Sequence, residues 1–359
     1  MVRFLTSAIF GIALLLLFFW TTDLTQMISS LKRTNHFFLI LGLAAYFVSV
    51  WFRTIRWRFL LLTNTQIKTS RLLPVVVVGY MANNILPFRI GELVRSYYLN
   101  KREGVSTTTG ISTIVVERVS DSIALLFLIG LTAVFVPLDE TLSGFSTISN
   151  IAEQVIVVFF VLPFVGMFTA LVAASLFRNK TERIIYKVSE PLSIRMRNML
   201  RNSSSKILDG LQSLNSLSAI IKVLALSLPV WIAESFLFFF VALSLDIHSE
   251  FNGMIAMASA SILVTGITNI GSSVPAAPGG LGLFELIARE SLVLMPHGTV
   301  SRPDAAAFAA LTHACLLIPI IALGQVFLWG NGLSLFSLSR RKVNPVANKP
   351  TSNGGGELR

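Results

Sequence analysis

The sequence predicts an all-α, polytopic membrane protein. Hydrophobic residues make up 53% of the 359 residues and charged residues only 13%, which is too little charge to cover a soluble domain of this length. Uncharged runs that match the roughly 20 helical residues needed to cross a bilayer recur along the chain. Basic residues lie in short segments beside these runs, as the positive-inside rule expects. A soluble fold is therefore excluded.

The net charge of +11 comes from these basic segments beside the apolar runs. The basic segments flank apolar runs, so we interpret the charge as topology and attraction to anionic lipid headgroups, and not as a nucleic-acid site. Cys315 is the only cysteine, which excludes an intramolecular disulfide. The four histidines are scattered without Cys/His ligand spacing. We therefore expect no metal site and no cofactor.

Eight charge-poor runs are candidate membrane segments. The first run resembles a signal peptide but lacks a small-x-small cleavage site, since Thr21, Thr22 and Asp23 follow it, so we expect an uncleaved first span. The runs are 4–20, 37–52, 72–88, 119–136, 154–177, 223–245, 251–284 and 305–339.

The connectors between these runs differ in charge. Segments 52–72, 89–102, 178–222 and the tail 340–359 are rich in Lys and Arg, whereas 137–153 and 246–251 contain acidic residues and no Lys or Arg. The positive-inside rule places the first group in the cytoplasm and the second outside. The prediction is a multi-pass protein of the cell inner (cytoplasmic) membrane with both termini cytoplasmic.

This assignment leaves run 72–88 with cytoplasmic connectors on both sides, so it cannot cross the membrane. We predict a re-entrant hairpin over 72–98, broken by Gly79, Asn83, Asn84 and Pro87. By the same argument, 252–292 must return to the external side. Its Gly- and Pro-rich middle favours a second re-entrant hairpin, although two full crossings by its halves give the same parity.

The result is about six transmembrane helices plus two re-entrant hairpins in two units. Unit one covers 1–136 and unit two covers 154–339, joined by the external loop 137–153. Each unit crosses three times, which predicts an inverted repeat; chance similarity of short Gly/Pro stretches is the alternative. Segment 178–222, with Leu200, Leu208, Leu211 and Leu214, predicts an interfacial cytoplasmic helix resting on anionic lipid, and the tail 340–359 predicts disorder.

Polar residues that lipid would exclude mark the candidate site. In the first hairpin, Glu92 lies at an i,i+3 spacing from Arg89 and Arg95 and would orient their guanidiniums. An arginine beside a helix start can bind two oxygens of a phosphate. The alternative is a positive-inside loop with Glu92 as a helix cap, which is the favoured interpretation of Arg95 alone. The candidate substrate-binding residues of this hairpin are Asn83, Asn84, Pro87, Arg89, Gly91 and Glu92.

A second group, Glu117, Arg118 and Asp121, lies at the start of run 119–136. Arg118 and Asp121 have an i,i+3 spacing, and Glu117 shares a helix face with Asp121. This group predicts either a substrate or proton path, with Arg118 as a second phosphate ligand, or a structural ion pair between helices.

The third group belongs to the second hairpin. Its glycines allow a close approach of backbone to ligand, and Glu285 lies where a carboxylate complements a helix N-terminus or binds a proton. A hinge or packing role is the alternative for the Gly and Pro residues. Glu234 and His313, isolated within spans, are proton-carrier candidates or are satisfied by a neighbouring helix. The residues of this hairpin are Pro278, Gly279, Gly280, Gly282 and Glu285.

Together, Asn-Asn-x-x-Pro-x-Arg-x-Gly-Glu at 83–92, Glu117-Arg118 with Asp121, and Pro-Gly-Gly-Leu-Gly-x-x-Glu at 278–285 resemble the flippase-like membrane domain of lysylphosphatidylglycerol synthetases. The resemblance spans residues 1–340. It implies re-entrant helices and movement of an anionic or lipid-linked substrate between leaflets. Stand-alone relatives are linked to polyprenyl-phosphate sugars, hopanoids and archaeal glycolipids. Because only residues 340–359 follow the last predicted span, we do not expect the aminoacyl-transferase activity of the bifunctional synthetases.

The leading hypothesis is a flippase or transporter for an anionic phospholipid or a polyprenyl-phosphate-linked lipid. The alternatives are an integral membrane transferase acting on a lipid phosphate, and a transporter of a small soluble ion. The sequence contains no P-loop and no nucleophile–base pair, so we expect neither direct ATP use nor catalysis. The expected partner is a membrane lipid or lipid-linked substrate; a second copy of the chain and a separate lipid-modifying enzyme are further candidates, and nucleic acid is not.

Overall fold

The structure, a computed structural model, describes residues 2–61, 66–132, 162–273, 277–295, 299–330 and 332. All regular secondary structure in these ranges is helical, which confirms the predicted all-α class. The α-helices are α1 Val2–Trp20, α2 Leu24–Lys32, α3 His36–Leu61, α4 Thr69–Ile85, α5 Gly91–Glu103, α6 Thr107–Thr132, α7 Leu162–Leu176, α8 Arg178–Ser189, α9 Ile194–Gly210, α10 Leu217–Ser244, α11 Met254–Gly271, α12 Leu283–Val293 and α13 Arg302–Trp329.

Within the described ranges, four helices are long and apolar enough to cross a membrane: α3, α10, α11 and α13. A fifth crossing is formed if Ala8–Trp20 and Leu24–Lys32, which meet at 87°, make one bent span. The bend follows from Asp23, whose carboxylate accepts hydrogen bonds from Thr25 N and Gln26 N at 2.9 and 3.1 Å and so starts α2 as a separate helix. The sequence did not predict this second helix. The count of about six spans stays a prediction.

Both predicted hairpins are broken helix pairs. In the first hairpin (α4–α5), α4 ends at Ile85, a 3₁₀ turn covers Pro87–Arg89, and α5 packs back against α4. In the second hairpin (α11–α12), a 3₁₀ turn covers Pro278–Gly280 and α12 packs against α11. Helix α11 alone has the length and hydropathy of a span, which fits the alternative of two full crossings. Re-entry into the membrane and the inverted repeat stay predictions.

The hairpins are enclosed by longer helices. Helix α10 packs along α3, α13 packs against both α4 and α12, and α6 contacts α5, α10 and α11. Helix α1 is anchored through Arg289 of α12, which donates to the carbonyl of Phe18 at 3.0 Å and to the hydroxyls of Thr21 and Thr22 at 2.9 and 2.8 Å. Both hairpins are thereby packed against longer helices of the protein.

Two helix boundaries differ from the sequence prediction. Helix α3 continues to Leu61, so Arg53 and Arg56 are buried helix residues and the prediction that they belong to a basic connector is wrong. Helix α6 begins at Thr107, so Glu117 and Asp121 lie in the middle of a helix and not at its start. Arg53, Arg56, Glu117 and Asp121 are paired inside the protein. In a hydropathy pattern, such charges predict the end of a span.

Segment 178–222 is not a single interfacial helix. It forms α8, α9 and a 3₁₀ turn, followed by the start of α10, and α9 packs against α6. Leu208, Leu211 and Leu214 are buried in the protein core, whereas Leu200 is exposed. Placement of this segment on a lipid surface stays a prediction. The predicted external loop 137–153 and tail 340–359 lie outside the described residues.

Candidate functional site

The breaks of the two hairpins touch each other. Arg89 Nη2 donates to the carbonyl of Ser272 at 3.3 Å, and a Cβ on Gly279 would lie 3.1 Å from the carbonyl oxygen of Asn84. Phe88 and Arg89 have φ values of 56° and 53°, a left-handed conformation that is uncommon outside glycine. Strained backbone of this kind is concentrated at functional sites, so the meeting point of the breaks is a site candidate.

A polar cavity of about 180 Å³ opens at this meeting point. Both hairpins contribute to its wall, together with α3, α6, α10 and α13. Of the residues predicted from sequence, eight line it: Asn83, Asn84, Arg89, Arg118, Glu234, Gly279, Gly280 and His313. Its other polar and aromatic lining residues are Tyr46, Arg53, Tyr80, Trp231, Asn269, Ser272 and Phe284.

A buried arginine–carboxylate network lies beside the cavity; it consists of Arg53, Arg56, Arg95, Arg118, Glu117, Asp121 and Glu234. Glu117 is fully buried and accepts two bonds of 3.0 Å from Arg95 and one of 3.0 Å from Arg118. Arg56 Nη2 lies 3.6 Å from the same carboxylate. Arg95 is therefore a buried ion-pair partner, and its interpretation as a loop residue is wrong.

The other two carboxylates of the network are also held by arginines. Asp121 accepts from Arg56 Nη1 at 2.6 Å and from Trp231 Nε1 at 3.0 Å. Its predicted pair with Arg118 forms at 3.5 Å. Glu234 accepts from Arg53 Nη2 at 2.5 Å, so it is satisfied by the neighbouring α3. Removing either partner of such a pair leaves an uncompensated buried charge, which makes the network a strong constraint on helix packing.

Arg89 differs from the arginines of the network. Among the described residues, no carboxylate lies within 4.0 Å of its guanidinium, and its one hydrogen bond goes to Ser272. Glu92 does not orient Arg89 and Arg95 as the spacing predicted; its ion pair, at 3.9 Å, is with Arg118. Arg89 thus lines the cavity with most of its donors available.

Arg89 also lines a second opening. An apolar groove of about 220 Å³ lies on the other side of Arg89, between the start of α5 and one face of α6. Apart from Arg89 and Glu92, its lining is hydrocarbon: Phe88, Ile90, Leu93, Ile111, Ile114 and Val115. Arg89 is therefore a lining residue of both the polar cavity and the apolar groove.

Glu285 and His313 form a buried pair in the second hairpin. Glu285 Oε1 lies 2.7 Å from His313 Nδ1, and Glu285 Oε2 accepts from Gly282 N at 2.7 Å, where α12 begins. His313 Nε2 lies 3.0 Å from the carbonyl oxygen of Gly279, and its ring stacks on Phe284 at 4.1 Å. The carboxylate thus lies at a helix N-terminus, where its charge is complemented.

The remaining predicted residues shape the hairpins without lining the cavity. Pro87 and Pro278 each begin a 3₁₀ turn. Gly91 packs on α4 so closely that a Cβ would lie 2.3 Å from the amide nitrogen of Asn83. Gly282 has φ 83°, and a Cβ there would lie 2.6 Å from Leu14 Cβ. Gly91 therefore needs glycine for close packing, and Gly282 needs it for close packing and for its backbone conformation.

Sequence reasoning missed Arg53, Arg56, Tyr80 and Trp231. The two arginines follow a long apolar run and were interpreted as its cytoplasmic flank. A usable signal existed: Arg53 and Arg56 share a helix face at i,i+3, as Glu117 and Asp121 do at i,i+4, so two helices carry complementary charge pairs. Among the described residues, no group of three His, Cys, Asp or Glu side chains is placed to hold a metal ion.

Comparison with known proteins identifies the family of the chain. The family described as the lysylphosphatidylglycerol synthase TM region matches residues 4–324, nearly the whole chain. The chain belongs to this family. It is a membrane protein that carries the family's transmembrane region, as the motifs at 83–92 and 278–285 predicted.

Curated relatives are distant. A UPF0104 membrane protein of Methanothermobacter thermautotrophicus is 26% identical and matches over 82% of this chain and 86% of its own length. A UPF0104 membrane protein of Pyrococcus horikoshii is 24% identical over 78% and 83% of the two chains. Glycosyltransferase AglD of Haloferax volcanii is 22% identical over 81% of this chain, which spans about half (48%) of that relative. No solved structure matches the chain.

Proposed function

We propose that the protein moves a lipid with a phosphate-bearing headgroup, an anionic phospholipid or a polyprenyl-phosphate-linked lipid, between the leaflets of its membrane. The observation that carries the proposal is the position of Arg89. Its guanidinium has no carboxylate partner among the described residues, and Arg89 lines both a polar cavity and an apolar groove. A lipid likewise combines a polar part, the headgroup, with an apolar part, the hydrocarbon chain.

The headgroup side fits phosphate chemistry. A guanidinium binds two phosphate oxygens at once through its planar fork, and the bond is strengthened when water is excluded. Arg53 and Arg118 line the same cavity but are engaged by Glu234 and Glu117 at 2.5 and 3.0 Å. In this proposal Arg89 is therefore the main ligand of the phosphate, and Arg118, which lines the same cavity, adds positive charge.

The apolar groove favours a lipid over a small soluble ion. Leu93 and Val115 line this groove and are 53% and 39% exposed, as expected for side chains that contact hydrocarbon in a membrane protein. A soluble ion needs no such surface. The groove is where the chain of the substrate stays in hydrocarbon while its headgroup occupies the cavity.

An integral membrane transferase is the second candidate, because one relative is named a glycosyltransferase. The match covers about half of that protein, so its printed activity can belong to the part that this chain does not match. Within the described residues, the carboxylates Glu117, Asp121 and Glu234 are all held by arginines. Turnover of a lipid-linked sugar donor by the purified protein alone would favour the enzyme.

The experiment is a transport assay in proteoliposomes with labelled phosphatidylglycerol, a labelled polyprenyl phosphate and a labelled glycosyl diacylglycerol as the phosphate-free probe, whose sugar headgroup prevents rapid spontaneous crossing. We expect movement of one of the phosphate lipids and not of the glycosyl diacylglycerol. Arg89→Ala should slow it about tenfold or more, because a charged hydrogen bond contributes about 1.5–3 kcal/mol. Arg89→Lys should retain part of the activity, since it keeps the charge but loses the fork.

Arg71→Ala is the matched control. Arg71 belongs to the same hairpin, but its side chain is 60% exposed and pairs with Glu103 at 3.1 Å, away from the cavity. This variant should transport like the wild type. Equal rates for Arg89→Ala and the wild type, with both proteins folded, would contradict the proposed role of Arg89.

A further inference from the structure

The Glu285–His313 pair is unusual because both ring nitrogens of the imidazole face oxygen atoms. Nδ1 lies 2.7 Å from a carboxylate oxygen of Glu285 and Nε2 lies 3.0 Å from the carbonyl oxygen of Gly279. Both side chains are buried, His313 at 3% and Glu285 at 6% exposure. A neutral imidazole with a charged carboxylate has one N–H for these two acceptors, so it leaves one nitrogen lone pair facing an oxygen.

One additional proton satisfies every contact. With the proton on the ring, the imidazolium donates to Glu285 and to Gly279. With the proton on the carboxyl group, Glu285 donates to Nδ1 and Nε2–H donates to Gly279. In both forms, Glu285 Oε2 still accepts from Gly282 N. One proton shared between the two side chains would satisfy all of these contacts, whereas without it a buried nitrogen lone pair faces an oxygen atom.

The other buried carboxylates near the cavity have arginine partners. Glu117, Asp121 and Glu234 each contact an arginine at 3.0 Å or less, which stabilises the charged carboxylate. Among the described residues, no arginine or lysine lies within 4.0 Å of Glu285. Of the four buried carboxylates near the cavity, Glu285 is thus the one whose partner is a histidine, a side chain that can both accept and donate a proton.

The pair is connected to the turn that separates α11 from α12. Glu285 holds Gly282 N and His313 faces Gly279 O, so the two side chains contact both ends of the segment 279–282. Gly279 contacts Asn84 at the tip of the first hairpin, beside Arg89. Loss of the shared proton weakens the His313 contacts and loosens this turn. The ionisable groups that share the cavity with His313 are Tyr46, Arg53, Tyr80, Arg89, Arg118 and Glu234.

We propose that Glu285 and His313 form the binding site for a coupling proton, so that lipid movement is driven by a proton gradient. The inference rests on the proposed transport function and names its coupling ion. In this exchange, the pair binds a proton when the site faces one side of the membrane and releases the proton to the other side. No other bond is made or broken.

The first test measures the proton directly and does not depend on transport. His36, His248 and His297 are replaced by Gln, leaving His313 as the only histidine, and its imidazole nitrogens are observed by ¹⁵N NMR in lipid nanodiscs. The Glu285 carboxyl carbon is observed in the same sample by ¹³C NMR. At neutral pH we expect either an imidazolium beside an ionised Glu285 or a neutral ring beside a protonated Glu285. Glu285→Gln should give a neutral ring. A neutral His313 ring beside an ionised Glu285 would overturn the proposal.

The second test measures lipid distribution in proteoliposomes with an imposed pH gradient. With one proton per lipid, a one-unit gradient should give an about tenfold difference in labelled lipid between the leaflets at steady state. Glu285→Gln retains the contacts, because the amide oxygen can accept from Gly282 N and its NH₂ can donate to Nδ1. This variant should equilibrate lipid without accumulation, and so should His313→Asn.

His248→Asn is the matched control, since His248 also contacts a carboxylate, Asp246 at 3.2 Å, but is 42% exposed outside the cavity. It should accumulate lipid like the wild type. Lipid movement that is indifferent to the gradient, together with a neutral His313 beside an ionised Glu285, would overturn the proton site and leave the transport function standing. No lipid movement in any protein would instead contradict the proposed function, whatever the NMR result for His313.

Discussion

Arg95 of α5 and Glu117 of α6 meet through two parallel hydrogen bonds of 3.0 Å each, and neither residue reaches solvent. The guanidinium also lies 3.8 Å from the ring centre of Trp57 on α3. The ion pair and the contact with Trp57 therefore join three helices. Such a pair fixes the returning arm of the first hairpin, and with it the position of the hairpin tip that carries Arg89.

Glu117→Gln should destabilise the protein by about 3–5 kcal/mol, because it leaves the arginines around it without their shared counter-charge in a buried site. The measurement is the free energy of unfolding in mixed micelles. Glu182→Gln is the control, since Glu182 also pairs with an arginine, Arg178, but its side chain is 35% exposed. It should lose about 1 kcal/mol or less. Equal losses would show that the buried network does not hold the helices together.

Gly91→Ala should destabilise the first hairpin by about 1–3 kcal/mol, because the new methyl group meets main-chain atoms that cannot rotate away. The nearest of these are Asn83 N at 2.3 Å and Gly79 O at 2.4 Å. Thermal unfolding in detergent measures the change. Gly130→Ala is the control in α6, where nothing lies within 4 Å of the added Cβ. It should be as stable as the wild type or slightly more stable, since alanine favours a helix. A Gly91→Ala protein with the stability of Gly130→Ala would contradict the packing.

Val115→Trp should slow lipid transport severalfold by filling the apolar groove, while the polar cavity stays open. Binding of glycerol phosphate, a water-soluble headgroup analogue, should be unchanged, because Val115 does not line that cavity. Leu131→Trp, an exposed position on the same helix outside the groove, is the control. Loss of headgroup binding in Val115→Trp, or equal transport in both variants, would speak against a separate place for the hydrocarbon chain.

The two helix breaks could be predicted from sequence because their causes are local. Pro87 and Pro278 lack the amide hydrogen that a continuing helix needs, and Gly279 and Gly282 adopt positive φ without a Cβ clash. The residues around these breaks were also predicted as a site, and the structure places Asn84, Arg89 and Gly279 in one cavity.

The partners of the charged residues could not be predicted, because they are distant in the chain. Arg53 pairs with Glu234, 181 residues away, and Arg56 with Asp121, 65 residues away. A positive charge beside an apolar run has the same sequence pattern whether it faces water or a buried carboxylate. The expected contacts of Glu92 with Arg89 and with Arg95 do not form. Arg95 pairs instead with the buried carboxylate of Glu117, which is a stronger partner than an i,i+3 neighbour.

The sequence alone determined that the chain is helical, that it belongs in a membrane and that its helices break at Pro87 and near 278–282, because hydropathy, charge density and Gly/Pro chemistry act over a few neighbouring residues. Gly79, Asn83 and Asn84, which were also predicted to break the first hairpin, lie inside α4. Only the tertiary structure decided which arginines are neutralised and which one, Arg89, is left to face a ligand. Pairing between charges depends on distance in space, and helices that are far apart in the chain become neighbours only in the fold.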